Sequence, residues 1–215
     1  DWFAQGQVKV VTIPELLALP EECDAVALTF DDALASVATE AAPRLAAHGF
    51  PATVFVATDH VGRDNCWGGK ADATVPTAAI LGWEALATLA HNGWSVGSHS
   101  RTHPHLTQCS DAELADEIIG SAEAITSHLG TRPTTFAYPF GDTDARVAAA
   151  TAAVYREACT TEYLPLDVDS TTTLLPRLDA WYFRGSAPFR DWGSRRFRRG
   201  LAWRHALRRV RRMLP

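Results

Sequence analysis

Residues 25–32 read Ala25-Val26-Ala27-Leu28-Thr29-Phe30-Asp31-Asp32, an apolar run that ends directly in two carboxylates. The run is too short for a helix and rich in Val, Leu and Phe, so it predicts a buried central strand. Desolvated carboxylates are costly unless a cation or hydrogen-bond donors offset them. The carboxyl ends of such strands are also where α/β proteins place their chemistry. Taken alone, the pair predicts a functional site and an N-cap of the following helix equally well.

Predicted strands and helices alternate along the rest of the chain. Strands are predicted at residues 8–13, 52–58, 95–100, 134–140, 159–162 and 174–180. Helices are predicted at residues 36–48, 83–92, 110–129 and 143–154, and residues 59–79 read as a long loop. Strands that alternate with helices of this length indicate βα units, so we expect an α/β fold with a largely parallel sheet or barrel.

The composition is that of one soluble domain: 215 residues, 47% hydrophobic and 21% charged. No apolar stretch approaches the roughly 20 residues of a membrane span. We expect a cytoplasmic location, in the interior or at the periphery of the inner membrane. Because the chain starts at Asp1 rather than Met, a leader could have been removed, and export therefore stays open. The four cysteines are spread singly, which favours free thiols, although export would permit two disulfides. They are Cys23, Cys66, Cys109 and Cys159.

The net charge of −5 conceals an asymmetry. Residues 184–215 hold 11 Arg and one acidic residue, a net charge of +10, whereas residues 1–183 hold 9 basic and 24 acidic residues, a net charge of −15. We therefore expect a body over residues 1–183 and an Arg-rich, helical C-terminal segment over residues 184–215.

Within the C-terminal segment, four apolar residues recur on one helical face: Trp203, Leu207, Val210 and Leu214. A basic amphipathic helix is typical of peripheral contact with an anionic membrane, which would suit a substrate glycan linked to lipid at the inner leaflet. The alternative is that the apolar face packs on the body while the arginines neutralise its acids. The acidic body argues against a nucleic-acid partner.

Residues 98–105 read Ser-His-Ser-Arg-Thr-His-Pro-His, and place three histidines within seven residues at the end of a predicted strand. His99 and His103 could converge on one ion if the chain turns there, which Pro104 favours. Two neutral imidazoles with one carboxylate are a common ligand set of catalytic zinc. The alternative is a solvent-exposed loop in which the histidines are incidental.

Three motifs together resemble those of the NodB-type polysaccharide deacetylases, carbohydrate esterase family 4. They are Thr29-Phe30-Asp31-Asp32, the Ser-His-Ser-x-Thr-His segment and Phe136-Ala137-Tyr138-Pro139-Phe140-Gly141, in the family's order and approximate spacing. The resemblance covers about residues 8–182. It implies a distorted (β/α) barrel, as a single domain, with one divalent metal ion in a groove at the strand ends. The ligand set suits Zn²⁺ best, although Co²⁺, Mn²⁺ or Ni²⁺ would also bind.

The resemblance also implies roles for individual residues. Asp32, His99 and His103 would hold the metal, and Asp31 would be the base that takes a proton from the attacking water. The backbone amide of Phe140 would help to hold the oxyanion. The family usually has Tyr at this position, but a backbone donor does not depend on the ring.

Two departures from the family pattern concern small or missing side chains. Ala33 follows the acid pair where Gly is usual, a change expected to be of little consequence. Ala137 stands where the family usually has the Arg that orients the catalytic Asp. Members with a Phe-Ala-Tyr-Pro pattern supply that Arg from a later segment, so Arg177 is the expected partner of Asp31. The alternative is that Arg177 is an ordinary surface residue at a strand end.

Two further departures concern later motifs. The Leu-x-His motif that provides the general acid is missing after residue 183, where His205 is the only histidine. Protonation of the leaving amine could fall to Asp31 acting twice, to His105 or to another group. The fourth motif is unclear, with Asp167 and Asp169 as its nearest candidates. Aromatic residues expected to line a sugar-binding groove, unless they only pack, are Tyr138, Trp67 and Trp181.

The predicted function is metal-dependent removal of N-acetyl groups from an N-acetylated sugar, polysaccharide or lipid-linked glycan. Within enzymes, the alternative is hydrolysis of another carbon–nitrogen bond, because the same chemistry attacks any suitably bound carbonyl. The competing class is a catalytically impaired, carbohydrate-binding homologue, which the missing Leu-x-His and the altered third motif keep open.

Overall fold

A computed structural model describes residues 2–69, 75–167, 169–184 and 187–213. Its main sheet has five parallel strands in the order β3-β4-β5-β6-β7. A separate parallel pair, β1 with β2, lies before it. The strands are β1 (Lys9–Val11), β2 (Ala25–Ala27), β3 (Thr29–Phe30), β4 (Thr53–Val56), β5 (Ser95–Ser98), β6 (Thr135–Ala137) and β7 (Glu157–Cys159).

Eight α-helices lie in the described part of the chain. They are α1 (Ile13–Ala18), α2 (Ala42–Ala46), α3 (Trp83–His91), α4 (Asp111–Ala115), α5 (Ser121–Leu129), α6 (Ala145–Ala152), α7 (Ala187–Arg190) and α8 (Arg195–Met213). Five-residue π-helical turns, Val37–Ala41 and Asp116–Gly120, precede α2 and α5. A capping box opens α4, where the predicted helix begins, because the Ser110 side chain accepts from the Glu113 amide and the Glu113 side chain accepts from the Ser110 amide. The parallel α/β architecture confirms the predicted fold class.

The centre of the sheet is buried on both faces, as a parallel sheet covered by helices requires. All four residues of β4 are buried. Val54 and Val56 pack with residues of α3 and α5, whereas Phe55 packs on the opposite face with Ala137 and Cys159. The Phe55 ring takes the space beside β5, where a Cβ on Gly97 would lie 2.6 Å from it. A larger residue than glycine would therefore push the two central strands apart.

The structure corrects three predicted elements. The predicted strand at 25–30 divides at Leu28, because residues 25–27 pair with β1 while residues 29–30 pair with β4. The strand predicted at 159–162 lies earlier, at Glu157–Cys159. The strand predicted at 174–180 is absent, since this segment pairs with β7 only at the Cys159–Leu175 bridge. Pro176 has no N–H to continue the ladder.

Helix α8 lies against the body through Leu201 and two polar side chains rather than through its predicted apolar face. Leu201 is buried, His205 Nδ1 lies 3.3 Å from Glu162 Oε1, and Arg208 donates to Asp179 over 3.3 Å. The apolar residues face outward instead, with Trp203 68%, Leu207 44% and Val210 54% exposed. Leu214, the fourth residue of that face, lies outside the described residues.

No helix in the described part of the chain combines the length and the apolar character needed to cross a bilayer. All four cysteines are free thiols.

Candidate metal centre and active site

Two loops at the carboxyl edge of the sheet bring the acid pair and the histidine motif together. Asp31 and Asp32 follow β3 directly, and His99 follows β5, with His103 one turn further along the loop. Asp32 Oδ1 lies 3.5 Å from Nε2 of His99 and 3.5 Å from Nε2 of His103. The two Nε2 atoms are 3.2 Å apart. Three potential ligand atoms therefore surround one point.

The donor set fits a divalent cation. Tetrahedral zinc ligands at about 2.0–2.1 Å from the ion are about 3.3 Å from one another, close to the three separations seen here. His99 Nδ1 lies 2.7 Å from the Ala137 carbonyl oxygen, so Nδ1 carries the proton and Nε2 keeps its lone pair for a metal. Asp32 Oδ1 is buried and has no hydrogen-bond donor among the described residues. A buried acceptor without a donor is expected where a cation supplies the missing charge.

The surroundings of the cluster lower the pKa of His103 and raise the pKa of Asp32, so the neutral form of each side chain is favoured. Burial and the neighbouring His99 lower the pKa of His103 to about 2, so its ring is neutral at physiological pH. Burial raises the pKa of Asp32, and the negative charge of Asp31 raises it further. A bound cation would reverse this shift, because it favours the ionised carboxylate.

The structure places Arg177, the partner expected from the family resemblance, directly against Asp31. The guanidinium donates to Asp31 through both terminal nitrogens, over 2.6 Å to Oδ1 and 2.8 Å to Oδ2. It also donates to Thr29 Oγ1 over 3.2 Å and to the Thr160 carbonyl over 2.9 Å. Burial alone would raise the pKa of Asp31, but Arg177, with His99 and His103, lowers it to about 2. Asp31 is therefore ionised at neutral pH and fixed in orientation.

Backbone strain is concentrated at this site. In the described part of the chain, five non-glycine residues have positive φ: Asp32 (66°), Ala33 (51°), Ser100 (65°), His103 (61°) and Phe140 (59°). Each such residue costs of order 1–3 kcal/mol, and such residues persist where the surroundings hold them. All five belong to the three motifs or directly follow one. Ala33 is fully buried in a conformation that favours glycine, which explains why Gly is usual there.

An aromatic pocket adjoins the metal ligands. Trp67 stacks on His103, with ring centroids 4.1 Å apart, and Phe140 meets the same imidazole edge-on at 4.5 Å. Phe140 also stacks on His105 at 4.3 Å. The pocket has a volume of about 560 Å³ and is lined by Asp59, His60, Arg63, Trp67, Gly68, Gly69, Thr102, His103, Pro104, His105 and Phe140. Trp67 is thus placed where a sugar could stack.

The other predicted groove residues lie elsewhere. Tyr138 is fully buried and donates its hydroxyl to the Thr173 carbonyl over 2.8 Å, so its ring offers no face to a sugar. Trp181 is exposed, and the Arg184 guanidinium covers its ring at 3.2 Å. Neither of these two rings lines the pocket beside the metal ligands. Asp167 belongs to a local turn, where its carboxylate accepts from the Asp169 amide over 3.5 Å.

Sequence reasoning missed the residues that hydrogen-bond to the candidate site residues and to the loop that carries them. Thr160 binds Arg177 through its carbonyl oxygen, a contact that carries no side-chain signal. Glu117 and Arg101 hold the loop between the two candidate metal-ligating histidines. Glu117 stands beside Ile118 within the predicted helix, and its burial is visible only in the structure, so no distinct signal for it was present in the sequence.

The fold and the site together define a parallel α/β protein with a candidate Asp-His-His metal centre beside an Asp–Arg pair. Residues 18–158 match the family model described as polysaccharide deacetylase, so the chain belongs to this family.

Similarity to individual proteins agrees with this assignment. The chain is 30% identical over 147 residues to a peptidoglycan-N-acetylglucosamine deacetylase, PgdA, of Listeria monocytogenes, which covers 68% of this chain and 27% of that protein. It is 31% identical over 103 residues to chitin deacetylase 1 of Cryptococcus neoformans, covering 47% of this chain and 21% of that protein. The chain thus spans about a quarter of the length of these curated relatives.

Solved structures share the fold. The deacetylase PplD of Streptococcus pyogenes superimposes with a TM-score of 0.70 at 22% identity, covering 82% of this chain and 76% of that one. IcaB of Ammonifex degensii gives a TM-score of 0.69 at 21% identity, covering 85% and 82%.

Proposed function

We propose that this protein is a metal-dependent N-deacetylase that hydrolyses the acetamide of an N-acetylated sugar within a glycan. The observation that carries the proposal is the convergence of Asp32, His99 and His103 beside the Asp31–Arg177 pair. Membership of the polysaccharide deacetylase family supports it. The names of the two curated relatives, which act on peptidoglycan N-acetylglucosamine and on chitin, favour a polymeric substrate.

Asp32, His99 and His103 would hold the cation, for which Zn²⁺ is the proposed identity, with Co²⁺, Mn²⁺ or Ni²⁺ as substitutes. When bound, a divalent cation acidifies water and polarises the substrate carbonyl. His103 is kept in place by the Trp67 ring stacked on it. His99 is kept in its ligating tautomer by the Ala137 carbonyl.

Asp31 moves the proton in the proposed reaction. Its carboxylate takes a proton from the attacking water while the water oxygen bonds to the acetamide carbon. The carbon–nitrogen bond then breaks, and the leaving amine needs one proton. A carboxylic acid whose pKa is about 2 gives up its proton readily, so Asp31 can return the proton that it took. Atoms balance as acetic acid and a free amine, with no further acid required.

Phe140 is the proposed backbone donor to the oxyanion. Its positive φ, 59°, lies in the tight turn Pro139–Gly141. The turn packs closely on the strand end beside it, because a Cβ on Gly141 would collide with the Thr161 side chain. A rigid turn suits this role, since an oxyanion donor must be in place before the charge develops.

The proposal is tested by acetate release from N-acetylglucosamine oligosaccharides by metal-loaded protein. We expect release that EDTA abolishes, that Zn²⁺ restores and that Asp31→Asn lowers by at least about 100-fold. Bound metal is quantified in both variants, so that loss of metal is separated from loss of the base. Metal-loaded protein that releases no acetate from any oligosaccharide would overturn the proposal. Oligosaccharide binding without release would then favour the non-catalytic class, and release from other amides the wider hydrolase class.

We further propose that α8 contacts an anionic membrane surface. Its outward face joins the apolar Trp203, Leu207 and Val210 to a first turn of exposed arginines at 195, 196, 198 and 199. Apolar side chains with flanking cations match a surface of anionic lipid, to which each Arg adds about 1 kcal/mol. Such contact would place the enzyme beside lipid-linked glycans.

Co-sedimentation with vesicles tests this contact. We expect binding to phosphatidylglycerol vesicles, weak binding to phosphatidylcholine vesicles, and loss of binding when Trp203, Leu207 and Val210 are changed to Ser. Ile119→Ser is the matched control, because Ile119 is an exposed apolar residue (42%) on the body. Equal binding by the triple variant and the wild type would overturn the proposal, as would no binding by either.

A further inference from the structure

The loop that joins the two metal-ligating histidines is organised by one buried carboxylate. Glu117 is 7% exposed. Its Oε2 accepts hydrogen bonds from the amides of Arg101 over 2.8 Å and Thr102 over 2.9 Å. Its Oε1 accepts from the Thr102 hydroxyl over 2.6 Å. Both oxygens of one side chain are thus committed to the residues between His99 and His103.

The same loop is held a second time through Arg101. The guanidinium donates to Asp59 over 3.2 and 2.9 Å, and to Asp116 over 2.7 and 2.6 Å. The arginine stem passes over Gly120, where a Cβ would lie 2.8 Å from Arg101 Cδ. Arg101 therefore connects the loop after β4, the loop after β5 and the helix that carries Glu117.

The helical geometry explains how adjacent acids reach one loop. Asp116 and Glu117 begin the π-helical turn Asp116–Gly120, which lies between α4 and α5. A π-helical turn inserts a residue into an α-helix and is frequent at functional sites. Here Asp116 binds the Arg101 guanidinium while Glu117 binds the backbone beside it. The π-helical turn Asp116–Gly120 therefore contributes both acids that bind the loop between His99 and His103.

The His99–His103 loop, which Glu117 and Arg101 hold, also contains strained backbone. Ser100 and His103 have φ of 65° and 61°. The His103 amide donates to Ser100 Oγ over 3.1 Å, so the loop folds back on itself before it presents the imidazole. Left-handed residues need surroundings that hold them. Glu117 supplies three of the hydrogen bonds that do so.

We propose that Glu117 is a positioning residue that sets the metal affinity of the centre by holding the His99–His103 loop in its ligating conformation. The inference rests on the proposed metal-dependent function. Residues that orient metal ligands from outside typically contribute 10- to 100-fold to metal affinity. A residue that serves only the stability of the fold would leave the affinity of the folded protein unchanged.

The experiment is a Zn²⁺ titration of the full chain against a chromophoric chelator, with urea unfolding of the metal-free protein measured in parallel. Glu117→Gln keeps the shape but turns one acceptor into an NH₂ group that faces hydrogen-bond donors. We expect it to weaken Zn²⁺ binding by about 10- to 100-fold. Glu123→Gln is the matched control, since Glu123 is an exposed acid on α5, and its affinity should equal that of the wild type.

A milder variant covers the case in which Glu117→Gln does not fold. Thr102→Val removes only the hydroxyl that donates to Glu117 Oε1, and we expect it to weaken Zn²⁺ binding by about threefold or more. Affinities of the folded variants within twofold of the wild type would overturn the inference alone. Metal-loaded wild type that releases no acetate would overturn the proposed function alone. Wild type that binds no Zn²⁺ would overturn both.

Discussion

Replacing Arg177 with Gln tests the pair that holds Asp31 in the site. The substitution removes the two charge-assisted hydrogen bonds at 2.6 and 2.8 Å. It also removes the contacts to Thr29 and Thr160 that fix the guanidinium. The Asp31 carboxylate would remain partly desolvated and would lack the positively charged guanidinium of Arg177.

The expected loss of stability follows from the burial of the pair. Removing one partner of a buried ion pair costs about 3–5 kcal/mol. The Arg177 side chain is 18% and the Asp31 side chain 34% exposed, so solvent screens part of the charge. We therefore expect a loss of about 2–3 kcal/mol in the free energy of unfolding.

The assay is a double-mutant cycle in urea at pH 7, with EDTA present so that metal binding does not contribute. The four proteins are the wild type, Arg177→Gln, Asp31→Asn and the double variant, and we expect a coupling energy of about 1.5–3 kcal/mol. Arg132→Gln is the control, because Arg132 is exposed, and it should change stability by less than about 0.5 kcal/mol.

The same variant should change the pH dependence of the reaction. Without Arg177, the strongest influence that lowers the pKa of Asp31 is lost while burial still raises it, so this pKa should rise from about 2. The acidic limb of the pH profile of kcat/KM should then move to higher pH, and kcat should fall by about 100-fold because the base is no longer oriented. A coupling energy within about 0.5 kcal/mol of zero, with an unmoved acidic limb, would refute the reasoning.

Three further predictions concern single residues. Gly141→Ala places a Cβ against Thr161 at positive φ, so we expect a loss of about 2 kcal/mol or more in urea unfolding, and an unchanged midpoint would contradict the packing. The pKa of His103 is about 2 when folded and 6.5 when unfolded, so metal-free protein should lose about 1–2 kcal/mol of stability between pH 6.5 and 5, a slope that His103→Gln should reduce. Burial raises the pKa of Cys159 to about 11, so it should react with a thiol reagent far more slowly than Cys66, and equal rates would show that the core opens.

Local pattern was sufficient to predict much of the fold. The apolar run at residues 52–58 predicted a central strand, because a strand buried on both faces needs a continuous apolar run. Residues 95–100 were also predicted as a strand, one that ends on polar residues, and β5 lies there. The boundaries of later elements were less well predicted. The strand predicted at 174–180 is reduced to an isolated bridge between Leu175 and Cys159, because Pro176 has no N–H to continue the ladder.

Burial and the direction of exposed faces were decided by packing. Tyr138 belongs to the third motif, yet its ring lies in the core with Phe136 while the backbone beside it forms the turn at Phe140. The apolar face of α8 was visible from its helical spacing, but spacing does not tell whether that face turns inward. Here Leu201 and the polar side chains at 205 and 208 face the body, and Trp203, Leu207 and Val210 face outward.

The sequence by itself determined the chemical groups of the candidate site: an acid pair after a buried strand, a pair of histidines four residues apart, and the tight turn of the third motif. These are local features, because each depends on residues that are neighbours along the chain. The family resemblance, rather than any local pattern, led to the expectation that Arg177 pairs with Asp31, and only the tertiary structure showed that Glu117 contacts the histidine loop. Arg177 reaches Asp31 across 146 residues, and Glu117 reaches the histidine loop from another helix. Their roles depend on distances through space, which local periodicity and spacing do not record.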